Sequence, residues 1–546
     1  MSWVGKIKCS RESGDAFAVP EKEIHVNPPN IDQESIALPP IFNFACHILD
    51  VNAGRADKVA YIDDGDRYTY GELDLRVRRF AAGLLARGIR REERVLLVMH
   101  DTIDLPVAFL GTLFAGVIPV PVNTLLPASD YAYMIDHSNA KALIASAALL
   151  PVVQEALAIA NTKPALIVAG DAPPGVGKFD ALLEAEALAP DASARTHPDD
   201  FAFWLYSSGS TGRPKGTVHS HGNLYWTAEL YAKPILGIQE GDTIFSAAKL
   251  FFAYGLGNGL TFPLSVGATV ILMAERPTPQ AIFKRLTENH PTIFCGVPTL
   301  FVGMLASDVL PAKGHVALRL CASAGESLPR EVGEKFHRHF GCEILDGLGS
   351  TEMLHIFISN RSGSVRYGTS GQAVPGYDVQ LRDDDNHPVA IGEIGDLYVR
   401  GPSAALLYWS DREKTRATFL GDWLKSGDKY SADMDGYFTY SGRGDDMLKV
   451  SGQYVSPIEV ENALIEHAAV LECAVVGKID GEGLTKTVAY VVLNRGELPS
   501  RELEADLKAF VKSRLAPHKY PREFIFLPEL PKTATGKIQR FKLRAA

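Results

Sequence analysis

The sequence predicts an α/β protein: a large N-terminal domain of parallel-type sheets with helices, a β-rich subdomain, and a small mobile α+β C-terminal domain. Three observations carry that reading. Short apolar runs alternate with helical patterns over most of the chain, as expected of parallel sheets covered on both faces. Near residue 370 the texture changes to turn-rich alternation without a long helix, and after residue 446 it changes again. At 546 residues the chain is also too long for one ordinary core.

Taken in order, the start of the chain, with "VNPPNID" and "ALPP", reads as an extended arm. "RVLLVMH" (94–100) reads as a buried strand, and "DLPVAFLGTLFAGVIPVPVN" as a helix leading into a short strand. "KALIAS", "ALIVAG", "ATVILM" and "LRLCASAG" are further β-rich runs, spaced by amphipathic stretches such as "PTPQAIFKRLTENH". "GTSGQAVPGYDVQLRDDDNHPVAIGEIGDLYVRG" reads as the β-rich subdomain. "SPIEVENALIEHAAV", "LECAVVGKID", "KTVAYVVLN" and "SRELEADLKAFVKSRL" form the small α+β pattern, and "GRGDDMLK" (442–449) joins it to the rest. The expected division is 1–443, a hinge at 444–446, and 447–546.

A hydrophobic content of 46% with 22% charged residues is that of a globular protein. The net charge of −10 argues against a general nucleic-acid binder. Six cysteines lack CxxC spacing and read as reduced thiols, mostly buried, without a disulfide frame or zinc site. The charged N-terminus lacks a signal core, and no run approaches the about 20 apolar residues of a membrane span. The expectation is a cytoplasmic protein, monomer or homodimer, with no membrane or nucleic-acid partner.

"YSSGSTGRPKG" (206–216) follows an apolar strand and packs hydroxyls, glycines and two basic residues together. Such a loop can aim successive N–H groups at an anion, with Lys215 adding charge suited to phosphate. The P-loop pattern G-x-x-x-x-G-K-[ST] fails here, because Gly216 follows Lys215. Composition alone equally fits a flexible surface loop.

The segment closely resembles the phosphate-binding loop of the adenylate-forming superfamily: acyl- and aryl-CoA ligases, peptide-synthetase adenylation domains and firefly-type luciferases. Five more motifs resemble that family in its order: "SAGESLP" (323–329), "DGLGSTE" (346–352), "WLKSGDKY" (423–430), "GRGDDMLKVSGQYVSPIEVE" (442–461) and "PKTATGKIQR" (531–540).

The resemblance implies ATP and Mg²⁺ chemistry with coenzyme A as co-substrate. Ser207, Ser208, Gly209, Ser210, Thr211, Gly212 and Lys215 would cradle the phosphates. Ala324, Gly325 and Glu326, with Asp346, Gly347 and Leu348, would line the adenine side; the family more often has an aromatic residue where this chain has Leu348. Thr351 and Glu352 would meet the α-phosphate, Glu352 also coordinating Mg²⁺. Asp428 and Arg443 would grip the ribose hydroxyls. Lys537 would bridge the acid and the α-phosphate and stabilise the charge of the transition state. Asp445 sits at the family's hinge, and Ser451 and Gly452 would line a thiol channel opened by rotation of the small domain.

Phe252, Ala253, Tyr254 and Gly255, with His355 and Ile356, stand where the family builds the acyl pocket, and their flat surfaces suit a planar ring. Both segments resemble the benzoate–CoA ligase subgroup, implying a small aromatic carboxylic acid. Either nitrogen of His355 can donate, to the carboxylate or to a ring substituent. Three other readings stay open: a stand-alone enzyme loading an aryl acid onto a carrier protein, a ligase for another small cyclic or fatty acid, and a nucleotide-binding regulator without chemistry.

Overall fold

A computed structural model describes residues 38–546 except 65, 208–212, 445–446, 451–452, 480–484, 517–518, 533–537 and 546. Its framework is two sheets built mainly of parallel strands. In the larger, six parallel strands lie in the order Glu343–Gly349, Leu320–Ala324, Ile293–Gly296, Thr243–Ser246, Thr269–Ile271 and Val59–Asp63. Antiparallel strands flank them: Ile356–Ser359 and Gln372–Ala373 on one side, Asp66–Thr69 on the other. The second sheet is wholly parallel, in the order Ile118–Pro121, Arg94–Val98, Ala142–Ser146, Ala165–Ala169 and Gly177–Lys178. Strands such as "RVLLV" are apolar throughout because helices cover both faces.

Helix starts follow their caps. Thr69 and Glu72 close a reciprocal capping box on the helix Tyr70–Ala86, and Ser456 and Ser500 cap Pro457–Ile465 and Arg501–Arg514. The Glu343–Gly349 strand and its antiparallel neighbour frame a tight turn carrying 350–355. Leu354 is held there at φ 64°, a conformation costly for a branched side chain.

Between the two sheets runs a smaller antiparallel one, Phe201–Ser207, Lys215–Ser220 and Leu407–Tyr408. The stretch read as a strand followed by a loop is therefore a hairpin, with Ser207 opposite Lys215. The β-rich region holds Asp378–Arg382, Gly395–Arg400, Phe419–Leu420, Trp423–Ala432 and Phe438–Arg443, with one short helix, Arg412–Thr418. Beyond it, Val470–Ile479 pairs antiparallel with Thr485–Leu493, and that strand pairs in parallel with Glu523–Phe526. Among the described residues, the apolar clusters of this last part draw only on 448–543. The five described cysteines are free thiols, four of them buried. No described helix is long and apolar enough to cross a membrane.

Candidate active site

The hairpin places Lys215 half-buried at the start of its second strand, with the ammonium 5.1 Å from the centre of the Tyr408 ring. Burial, more than any neighbour, lowers its pKa; Lys414 and Arg443 push the same way, while Glu352 and Asp411 oppose them. Two contacts hold the hairpin ends: Tyr206 shares a 2.8 Å hydrogen bond with His137 Nδ1, and the Tyr133 hydroxyl donates to the Pro214 carbonyl at 3.2 Å. Ser207 closes the first strand. Ser208, Gly209, Ser210, Thr211 and Gly212 lie outside the described residues.

The turn after Gly349 is fixed from three directions. The Thr351 carbonyl accepts from His219 Nε2 at 2.9 Å. His219 is wholly buried, stacked 5.0 Å from Phe203, and desolvation drives its pKa down to about 3. It is therefore neutral, with its proton on Nε2. The Glu352 carbonyl accepts from Ala405 N at 2.7 Å, and its carboxylate accepts the Tyr408 hydroxyl at 2.8 Å. The Ser403 hydroxyl donates to the Met353 carbonyl at 2.8 Å, while Asn223 donates to the Ala404 carbonyl at 2.7 Å. A carboxylate beside a threonine hydroxyl is a donor set of the hard kind that suits Mg²⁺ when phosphate oxygens complete the shell. The residues fit that ion as a companion of ATP.

On the nucleotide side, Asp346 stands opposite Ser323, and Gly347 opposite Ala324, on adjacent parallel strands. Asp346 is 2% exposed; its Oδ2 accepts Leu328 N at 3.2 Å and its Oδ1 has no hydrogen-bond partner among the described residues. Desolvation raises this carboxyl to about 8. A Cβ on Gly347 would meet the Ile358 carbonyl oxygen at 2.8 Å, so glycine is required there. Gly325 is exposed at φ 94°, Glu326 is half-buried, and Leu348 packs half-buried against the core. Asp428, read from sequence as the acceptor of the ribose hydroxyls, and Arg443, read as a further donor, face each other across neighbouring strands as an ion pair at 3.1 Å. The guanidinium thus spends one N–H on the carboxylate.

The acyl segment follows the Thr243–Ser246 strand. Phe252, Ala253 and Tyr254 are half-buried and enter the short helix Ala253–Leu256 with Gly255, whose absent Cβ would lie 2.0 Å from the Lys249 carbonyl oxygen. The His355 ring sits among Phe262 at 4.4 Å, Tyr231 at 5.3 Å and Tyr254 at 5.5 Å. Ile356 follows it, fully buried. Burial lowers the His355 pKa to about 3, and its Nε2 lies 3.3 Å from the Tyr254 carbonyl while Nδ1 has no partner among the described residues. Of the two sequence expectations for His355, the carboxylate or a ring substituent, this geometry favours the second. A neutral imidazole donating from Nε2 leaves Nδ1 as an acceptor only, so it does not suit a carboxylate.

Lys537, Asp445, Ser451 and Gly452 lie outside the described residues. Near Lys537 in sequence, Arg540 is bound to Glu461 at 2.7 and 3.0 Å, and Glu461 Oε1 also accepts Val475 N at 2.7 Å. Motif reading missed His219, Tyr408 and Glu461 as organising residues. Each acts through a contact remote in sequence, and only the aromatic character of "LLYW" hinted at Tyr408.

A family model described as "AMP-binding enzyme" matches residues 49–409, and one described as "AMP-binding enzyme C-terminal domain" matches 459–537. The chain is 55% identical to a benzoate–CoA ligase of Thauera aromatica, covering 94% of this chain and 97% of that protein. It resembles the crystal structure of a benzoate CoA ligase from Burkholderia xenovorans with a TM-score of 0.87 and 62% identity, covering 92% of this chain and 100% of that one. An anthranilate CoA ligase in complex with anthranoyl-AMP superposes with a TM-score of 0.89 at 39% identity, over 93% of this chain and 98% of that one. With both family models matched in order along it, the chain belongs to the AMP-binding enzyme family and has the adenylate-forming fold.

Proposed function

We propose that the chain is an ATP-dependent ligase joining benzoate, or a ring-substituted benzoate, to coenzyme A. The observation that carries the reading is the aromatic cluster of Phe262, His355 and the half-buried Tyr254, with the buried Ile356 beside it, one turn of chain from Thr351 and Glu352. A flat ring fits among flat side chains, and its carboxylate would then lie toward the phosphate-facing end of the same turn. The identity to benzoate–CoA ligases points the same way.

In this reading the acid's carboxylate attacks the α-phosphorus of ATP, forming aryl-AMP and releasing pyrophosphate. The thiolate of coenzyme A then attacks the aryl carbonyl, forming the thioester and releasing AMP. Lys215 and Ser207 to Gly212 hold the outgoing phosphates, Asp428 with Arg443 holds the ribose, and Lys537 neutralises charge during the first attack. Glu352 would hold the Mg²⁺ that comes with ATP, which would supply charge neutralisation at the phosphates. The division into 1–443 and 447–546 about a hinge at Asp445 lets Lys537 withdraw and Ser451 and Gly452 line the thiol's path; the separate apolar clusters of 448–543 support it. We place the enzyme in the cytoplasm, a reducing compartment that suits its free described thiols.

A screen of small acids for AMP release tests the substrate class. Benzoate and its hydroxy-, amino- and halo-derivatives should exceed acetate, cyclohexanecarboxylate and fatty acids in kcat/KM; a preference for a flexible aliphatic acid would overturn the reading.

A further inference from the structure

Asp101 is a buried carboxylate that no step above uses. It is 5% exposed and sits in the turn between the Arg94–Val98 strand and the helix Asp104–Phe114, on the wholly parallel sheet. Its partner belongs to the other sheet. Leu250 N, in the loop that follows the Thr243–Ser246 strand, lies 3.1 Å from Oδ2 and 3.4 Å from Oδ1. The preceding residue, Lys249, sends its ammonium to the carbonyls of Met273 and Glu275, the latter at 2.7 Å. Those acceptors are neutral, and Asp101 is the largest charge influence favouring the ammonium, ahead of Glu275.

The anchored turn leads directly into the acyl pocket. The Lys249 carbonyl accepts Phe252 N at 3.0 Å, and the Phe252 carbonyl accepts Leu256 N at 2.7 Å. Gly255 packs so closely on Lys249 that no side chain fits between them. The Tyr254 carbonyl in turn lies 3.3 Å from His355 Nε2. A continuous series of contacts thus runs from Asp101 to Leu250 N, along the backbone to Lys249, and from the Lys249 carbonyl to the aromatic cluster. Such a buried charge is costly unless it is hydrogen-bonded, and here its donor, Leu250 N, lies on the acyl loop.

We propose that Asp101 is a positioning residue for the acyl pocket, pinning the Lys249–Gly255 loop across the junction of the two sheets and so setting affinity for the aromatic acid. It touches neither substrate nor phosphate and acts through the loop. The inference rests on the aromatic-acid reading above.

The test compares wild type, Asp101→Asn and Asp101→Ala in steady-state turnover, varying benzoate at saturating ATP and then ATP at saturating benzoate. Loss of a hydrogen bond to a charged acceptor should raise the benzoate KM about tenfold in Asp101→Ala. The kcat and the ATP KM should stay within about twofold, since the phosphate-facing turn does not touch Asp101. Asn keeps an oxygen for Leu250 N but loses the charge facing Lys249, so its benzoate KM should fall between the two, about threefold above wild type. Equal rises in both KM values, or an Asn variant no better than Ala, would overturn the anchor. Should Asp101→Ala not fold, the Asn variant decides alone, and an unchanged benzoate KM overturns the proposal. A wild-type chain inactive on benzoate overturns the aromatic-acid reading and this inference with it, whereas an active wild type with insensitive variants overturns the anchor alone.

Discussion

The Tyr408 hydroxyl donates to the Glu352 carboxylate at 2.8 Å. Tyr408 comes from a strand far along the chain, and its ring also lies under the Lys215 ammonium. One side chain therefore orients the carboxylate suited to Mg²⁺ and the cation suited to phosphate. In Tyr408→Phe the ring remains and the hydroxyl is lost. A hydrogen bond to a charged group is worth about 1.5–3 kcal/mol, so half-maximal pyrophosphate exchange should require about tenfold more Mg²⁺. Titrating exchange against Mg²⁺ checks this, and an unchanged Mg²⁺ dependence would show that Glu352 needs no such support.

Arg540 and Glu461 form a buried pair in the C-terminal part, with the Glu461 side chain only 7% exposed. Among the described residues, Arg540→Ala leaves that carboxylate held by Val475 N alone. Removing one partner of a buried pair costs about 3–5 kcal/mol. Denaturant unfolding should show that loss, and Arg540→Met with Glu461→Leu should recover most of it. A double variant as unstable as the single one would contradict the pairing argument.

Asp346 gives a pH signature. Burial raises its carboxyl from 3.8 to about 8. Between those values the unfolded chain releases the proton while the folded chain keeps it. The contribution of this group is therefore fully present at low pH, declines as pH rises toward about 8, and is level above. The slope approaches about 1.4 kcal/mol per pH unit. Asp346→Asn removes the titration, so its Tm should gain on that of wild type from pH 5 to pH 8. A Tm difference independent of pH would mean that Asp346 is ionised in the folded protein.

Lys537→Ala should abolish aryl-AMP formation while leaving thioester formation from supplied aryl-AMP largely intact, because the role proposed for the lysine lies in the first attack alone. Rapid-quench assays of the two half-reactions separate them. Equal loss of both would refute a lysine that withdraws between steps.

Much of the fold was legible because its signals are local. Runs such as "RVLLV" and "LCASA" are strands buried on both faces, so their apolar content alone identifies them. The serine and threonine caps likewise mark helix starts in the chain itself. The family was legible from its motifs in order, by resemblance. What escaped the sequence is the pairing between distant segments. Nothing near Thr351 announces that His219 holds its carbonyl, and nothing near Tyr254 announces Asp101. The pairing of Arg443 with Asp428 was hidden too, since only strand register brings them together. The tautomer of His355 was open in the sequence for the same reason: it is set by the carbonyl of Tyr254, about a hundred residues away along the chain.

The central claim is that this chain makes an aryl thioester through an adenylate. The most direct measurement is product analysis after incubating the full chain with benzoate, ATP, Mg²⁺ and coenzyme A. The account predicts benzoyl-CoA and AMP in equal amounts, with neither ADP nor carrier protein involved. AMP release that does not depend on coenzyme A, or no benzoyl-CoA at all, would contradict it.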